Sequence, residues 1–392
     1  MTRAQQGLGQ PQGSRVLLSG FLERNFGDDL LFYIMCRLYP EVTFYILKEG
    51  SYAEEAGAPD NLQCLGAVKP PRWNYALRAV NKILRKLGLA PLTLRWRLHG
   101  EHFDAFVKLG GSIFMESSSS VLRYHIKEDR LLAAHADASG ILDSNFGPCW
   151  SDGFKAAYEE HFRSFDFVSF RESHSANLFG DAPNVSYGSD LVFALPAIGV
   201  GKVPHEGRRV AVVPIDLTWP RSVDMTAYCE AYETALANLI DKQVDAGADV
   251  SLVAFCAREG DTAVCKRILG RVSFPERVRL LVHRNVEATV AELASADLIV
   301  ASRFHGIFFG LALGIPVLPL SYSPKIDNEL EDLGCSKHFA GIPELGERLE
   351  ISSERLLYAS DVSEEAILSW SRQTKRFDEV LVGLGYGDFA RS

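Results

Sequence analysis

Short apolar runs alternate along the chain with stretches in which apolar residues recur every three or four positions. The runs at 15–20 (RVLLSG), 42–47, 103–109 (FDAFVKL), 131–134, 166–170 (DFVSF), 209–213, 249–255, 278–282, 298–301 and 315–320 are rich in branched residues. They predict strands covered on both faces. The periodic stretches at 30–38, 154–162, 225–246, 261–269, 286–294, 306–313 and 364–384 predict helices, and a shorter helix opens at Ser173 or His174. Strands and helices alternating at this spacing predict an α/β fold with doubly wound parallel sheets. A chain of 392 residues holds two such domains. The division falls at 195/196, with 196–207 as linker, and the last helix returns across the domains.

In doubly wound sheets ligands bind at the carboxyl edge of the strands, so the residues at strand ends are the ones to weigh. The stretch 297–325 supplies two such places. Its first strand ends in Ser302-Arg303-Phe304-His305-Gly306, and its second is followed by Tyr322 and Lys325. Ser302 and the amides behind it can cap a helix or receive an anion. Arg171 ends the strand at 166–170 and serves either an anionic ligand or Glu172 as an ion-pair partner. Gly110 and Gly111 follow a strand, where glycine permits either a tight turn or close approach of backbone to a ligand. Asn25, Gly27 and Asp28 lie between the first strand and the first helix. There Asp28 or Asp29 either caps the helix or faces a ligand.

The net charge of −9 makes nucleic acid an unsuitable partner. The seven cysteines form no C-x-x-C pair, which suits neither a disulfide framework nor a zinc site and fits a cytoplasmic protein. The first residues show no apolar core of a signal peptide, and no apolar stretch is long enough to span a bilayer. Residues 69–97 depart from the acidic average: eight Lys and Arg and no acid, with Leu77, Val80, Ile83, Leu84 and Leu87 at helical spacing. This is a basic amphipathic helix, bracketed by Pro70-Pro71 and Pro91. It suits an anionic membrane surface or a pyrophosphate-linked acceptor, or else a solvated face packed on its own domain. No G-x-G-x-x-G, P-loop lysine or Asp-x-Asp motif occurs. Dinucleotide, Walker-type and metal-held nucleotide-diphosphate sites are therefore unsupported, and neither metal nor cofactor is expected.

Taken in order, the chain resembles the polysaccharide pyruvyl transferase family. The motifs are NFGDD at 25–29, LGGS at 109–112, NFGP at 145–148, VSFRESHS at 168–175, SDLVF at 189–193, and SRFHG at 302–306 with Pro316, Tyr322 and Lys325 downstream. DSNFGP departs from the Gly-Gln-x-x-Gly-Pro of many members, and 69–97 has no family counterpart. The resemblance implies a GT-B-like fold, two Rossmann-like domains facing a cleft. Residues 1–195 would form the acceptor side and residues 196–392 the donor side. It also implies transfer of pyruvate from phosphoenolpyruvate to two sugar hydroxyls of a polysaccharide or its lipid-linked precursor, giving a cyclic ketal and phosphate.

The donor carries a carboxylate and a phosphate, so its site needs several cations. Arg303 and Lys325, with Arg171 from the first domain, would supply them. The reaction needs an acid for the enol methylene and a base for the attacking hydroxyl. His305 suits one of these roles, although it can equally ligate phosphate or serve as a helix-start residue. Asn25 and Asp28 would face the acceptor, with Gly110, Gly111, Ser302 and Tyr322 completing the site. Two alternatives stay open. One is a GT-B glycosyltransferase using a nucleotide sugar, with Glu329 as the acid on its late helix. The other is a non-catalytic sugar-binding partner in polysaccharide assembly. The enzyme would work in the cytoplasm, at the inner face of the membrane if the basic helix touches it.

Overall fold

The computed structural model describes residues 13–48, 52–65, 74–89, 92–220, 224–335, 340–342 and 355–385. Lys69, Arg72 and the prolines at 70, 71 and 91 lie outside the described residues. The strands are β1 (Arg15–Ser19), β2 (Thr43–Ile46), β3 (Leu62–Cys64), β4 (Phe103–Leu109), β5 (Ala136–Ser144), β6 (Phe167–Phe170) and β7 (Val185–Tyr187) in the first half. The second half holds β8 (Arg209–Val213), β9 (Asp249–Ala254), β10 (Val278–Val282), β11 (Leu298–Ala301), β12 (Val317–Ser321) and β13 (Ala340–Gly341). They form a seven-stranded sheet ordered β3-β2-β1-β4-β5-β6-β7 and a six-stranded sheet ordered β10-β9-β8-β11-β12-β13. Every pairing is parallel. Helices cover both faces, which is why Val16, Leu17 and Leu18 of β1 are all fully buried. The whole is a GT-B-like arrangement of two Rossmann-like domains.

Three places depart from the sequence pattern. Residues 131–134 end the helix Ser119–Ala133 instead of forming a strand; Leu132 is buried on its inner side. The strand itself is β5, ADASGILDS, whose small residues conceal its pattern. Gly140 is required within it, because a Cβ there would lie 1.9 Å from the Phe167 ring. The first helix begins at Phe26, with Asn25 as its N-cap, so Asp28 and Asp29 stand in its first turn and neither caps it. β3 and β7 have three residues each, too few to show a period.

The carboxy-terminal segment forms two helices, Glu364–Leu368 and Trp370–Gly383, that pack on the first domain. Gln373 donates to the carbonyls of Phe170 and Gly188 at 3.0 Å each, and Tyr39 donates to Asp378 at 2.5 Å. Phe377 is fully buried against Tyr39, ring centroids 5.0 Å apart. One apolar core runs without a break through both domains, through Phe26 and Leu30 of the first helix, Leu191–Ala194, and Phe308 and Phe309. This shared core joins the two domains beside the cleft that both of them line.

Candidate active site

The cleft, about 1900 Å³, takes its walls from both domains, including Asp28, Asn145, Arg171, Arg303, His305 and Lys325. Residues that the sequence places at five separate strand ends thus share one cavity.

From the first domain comes the start of the helix Phe26–Leu38. Asn25 Oδ1 accepts the Gly27 N–H at 3.2 Å, and the Phe26 N–H crosses to the carbonyl of Phe255 at 3.1 Å. Asp28 is buried at the cleft wall. Burial, reinforced by the neighbouring carboxylates of Asp29 and Glu259, pushes its carboxyl up to about 8, although Lys325 and Arg171 pull the other way. Asp29 is turned away, accepting from Tyr52 at 2.8 Å with His283 Nε2 at 3.1 Å from its other oxygen. Gly110 and Gly111 have φ of +95° and +41°, and a Cβ on Gly111 would lie 3.3 Å from Asp28 Oδ1. The double glycine lets the backbone pass close under that carboxyl. Gly111 lines the cleft.

Arg303, expected as the clamp on the donor, is already paired. Its Nε donates to Asp261 Oδ2 at 2.9 Å, its Nη2 to the other oxygen of Asp261, and its Nη1 to Glu259 at 2.5 Å. Burial opposes its charge, but these two carboxylates hold the guanidinium well above its ordinary pKa. Nothing in the sequence announced the pair, since Glu259 and Asp261 reach Arg303 only through the parallel packing of β9, β8 and β11. Ser302 is fully buried and its hydroxyl is shared with Tyr232 at 2.7 Å, which places it beneath the cleft floor rather than in the cavity.

Arg171 and Lys325 are the other cations. Arg171 is fully buried at the end of β6. Its partner is not Glu172, which instead caps the helix Ser173–Asn177. Arg171 Nη1 donates to Asp190 at 3.1 Å and Nη2 to Asn145 at 2.8 Å; Nε has no partner among the described residues. Its guanidinium lies 3.7 Å over the Phe304 ring. Lys325 Nζ donates to Ser112 Oγ at 3.1 Å and stands about 6 Å from the rings of Phe304 and Tyr322. Lys325 lines the cleft near enough to Asp28 to act on its carboxyl electrostatically.

His305 is the second residue of the helix Phe304–Ala312. Its ring packs on the first helix so closely that a Cβ on Gly27 would lie 2.0 Å from Nδ1. Nε2 is 3.7 Å from Asp190 Oδ2 and makes no hydrogen bond among the described residues. Burial first, then the charges of Arg171, Lys325 and Arg303, hold the imidazole well below its ordinary pKa. It is therefore neutral.

Behind His305 lie three fully buried acids: Asp143 and Asp190, which the sequence does not single out as site residues, and Glu329, singled out only as the acid of a nucleotide-sugar transferase. Asp190 Oδ1 accepts from Val192 at 2.8 Å, Asp143 Oδ1 accepts from Leu191 at 2.8 Å, and the Asp190 N–H donates to Glu329 at 3.3 Å. Asp143 sits where the β5–β6 register shifts, with φ of +58°, a strained conformation of the kind found at functional sites. Burial raises all three carboxyls, Asp143 and Glu329 well above the ordinary range. Asp143, Asp190 and His305 each bring one atom of metal-ligand type within 4.8 Å of the others. Arg171 already supplies positive charge to that group through Asp190. Asp190 and Asn145 fall within the SDLVF and NFGP motifs, which was the signal available for them; Asp143 was concealed in a stretch that looks like a turn.

The model that describes polysaccharide pyruvyl transferases matches residues 25–324, which takes in the motifs above as far as Tyr322 and stops one residue short of Lys325. No protein of curated function matches the sequence. Among solved structures, S. aureus MnaA in complex with UDP superposes with a TM-score of 0.58 at 13% identity, over 95% of this chain and 96% of that one. The UDP-GlcNAc 2-epimerase of Neisseria meningitidis bound to UDP-GlcNAc gives 0.55 at 11% identity, over 94% and 99%. Likeness at such identity concerns the fold alone. The activity class comes from the family match, and the ordered motifs meet in a single cleft: the chain belongs to the polysaccharide pyruvyl transferase family, transferases that act on polysaccharide.

Proposed function

We propose that the protein moves pyruvate from phosphoenolpyruvate onto two hydroxyls of a saccharide, forming a cyclic ketal and releasing inorganic phosphate. The observation that carries this is a pair of titratable groups in one cleft with pKa values displaced in opposite directions. Asp28 is a carboxyl held protonated, and His305 is an imidazole held neutral. Such a divergence marks acid and base assignments. His305 would take the proton of the attacking hydroxyl as its oxygen bonds to the central carbon of the enol. Asp28 would deliver a proton to the methylene, making it a methyl group. The carbon–oxygen bond to phosphate then breaks, phosphate leaves with the bond electrons, and the second hydroxyl closes the ketal, its proton passing to phosphate.

Lys325 and the unpartnered Nε of Arg171 are suited to the donor's carboxylate and phosphate. Arg303, neutralised by Asp261 and Glu259, would act by holding the wall from which His305 projects. A nucleotide-sugar transferase is less well served. Glu329, its candidate acid, is fully buried and tied to the Asp190 amide. A non-catalytic sugar binder gives no reason for displaced groups in a cation-flanked cleft. Phosphate release from phosphoenolpyruvate, with a panel of saccharide diols as acceptors, tests the proposal. His305→Ala and Asp28→Asn should each lower the rate by about 10²–10⁴ with donor binding retained. A near-normal rate in either variant removes that residue from the chemistry.

A further inference from the structure

The basic helix of the first domain, Asn74–Lys86, leaves most of its described side chains, basic and apolar alike, exposed to solvent. Asn81 and Leu84 are the least exposed of its described side chains. Asn81 Oδ1 accepts the Leu92 N–H at 3.0 Å, the Arg85 guanidinium lies 5.4 Å over the Tyr124 ring, and Asn81, Lys82 and Arg85 line the cleft. Apolar residues of the helix and of the turn after it reach solvent. Ile83 is 58% and Leu87 60% exposed, with Val80, Leu89 and Leu92 also exposed. At another part of the cleft wall, Trp150 (68%) and Met115 are exposed too. Exposed apolar side chains grouped in one short segment of chain mark an interaction surface.

Charge selects the occupant. Lys82, Arg85, Lys86 and Arg95 are exposed, and none of them pairs with an acid among the described residues, although the chain as a whole carries −9. A second copy seated by two-fold symmetry would set this basic patch against itself. An anionic bilayer offers both hydrocarbon for Ile83 and Leu87 and negative headgroups for the lysines and arginines. We propose that this helix is a peripheral membrane anchor, which buries its exposed apolar residues in the headgroup layer of an anionic membrane and holds the mouth of the cleft at the lipid surface. No helix among the described residues is long and apolar enough to cross a membrane, so contact would be with one leaflet. If the pyruvyl-transfer reading holds, the consequence is an acceptor presented from that surface, a lipid-linked saccharide whose phosphates Lys82 and Arg85 would meet. The anchoring itself does not depend on that reading.

The test is sedimentation of the whole protein with vesicles of phosphatidylcholine mixed with phosphatidylglycerol, against phosphatidylcholine alone. Binding should require the anionic lipid and weaken as salt is added. Ile83→Glu/Leu87→Glu should reduce partitioning by at least about tenfold, and Lys86→Glu by roughly the same factor. All three positions are exposed, so folding and phosphate release with a soluble acceptor should be unchanged. Equal binding to both vesicle types, unchanged binding by the variants, or no binding together with a dimer that Ile83→Glu/Leu87→Glu dissolves would each overturn the anchor. Loss of phosphate release in the wild type would instead count against pyruvyl transfer and leave the anchor untouched.

Discussion

Single residues in the cleft act through what surrounds them. Asp28 and His305 have ordinary pKa values in water more than two units apart, the carboxyl lower. Burial reverses that order: the carboxyl rises to about 8 and the imidazole falls well below its usual value. The sign of the pH dependence follows. Asp28 donates only while protonated, so kcat/KM should fall as pH rises through about 8. His305 accepts only while neutral, so the acid limb should lie below the ordinary imidazole range. An activity that first appears above pH 8, or an acid limb at the usual histidine value, would contradict these assignments. Arg303 makes a different prediction. Because its three N–H groups satisfy the buried carboxylate of Asp261 and the half-buried one of Glu259, Arg303→Ala strands a buried charge. It should cost about 3–5 kcal/mol of stability in urea unfolding. A loss of donor affinity at unchanged stability would show that Arg303 holds the ligand instead.

At the scale of elements, the two helix starts matter most. The helix Phe26–Leu38 and the helix Phe304–Ala312 come from different domains, and they meet where Gly27 touches His305. Gly27→Ala removes no polar group, yet its methyl would enter the imidazole. A displacement of about 1 Å can cost on the order of 10²-fold in rate. Turnover should fall by that order with far-UV circular dichroism unchanged; normal turnover would mean that His305 need not stand where it does.

Much of this was legible in the sequence. The strand-to-helix joins carrying Arg171, Arg303 and His305 followed from apolar runs ending in polar residues, and so did their convergence at the carboxyl edge. The cluster behind His305 was not legible. Asp143, Asp190 and Glu329 come together only by tertiary packing: Asp143 bonds Leu191, 48 residues on, and Asp190 bonds Glu329, 139 residues on. The exposure of apolar residues on Asn74–Lys86 was equally hidden. Periodicity shows that a helix has an apolar side and says nothing of which side meets the protein.

For the molecule as a whole, the continuous core and the returning helix Trp370–Gly383 fix the two domains around the cleft. Such a frame leaves the difference between a pyruvyl transferase and a nucleotide-sugar enzyme to the cleft lining alone. Donor choice is therefore the most direct test of the central claim. Thermal unfolding of the wild-type protein should be followed with phosphoenolpyruvate and, separately, with UDP-glucose and UDP-GlcNAc. Phosphoenolpyruvate at a hundredfold excess over its Kd should stabilise the protein by about 2.7 kcal/mol, read as a rise of several degrees in Tm, while the nucleotide sugars leave Tm where it was. A rise with either nucleotide sugar and none with phosphoenolpyruvate would contradict the account.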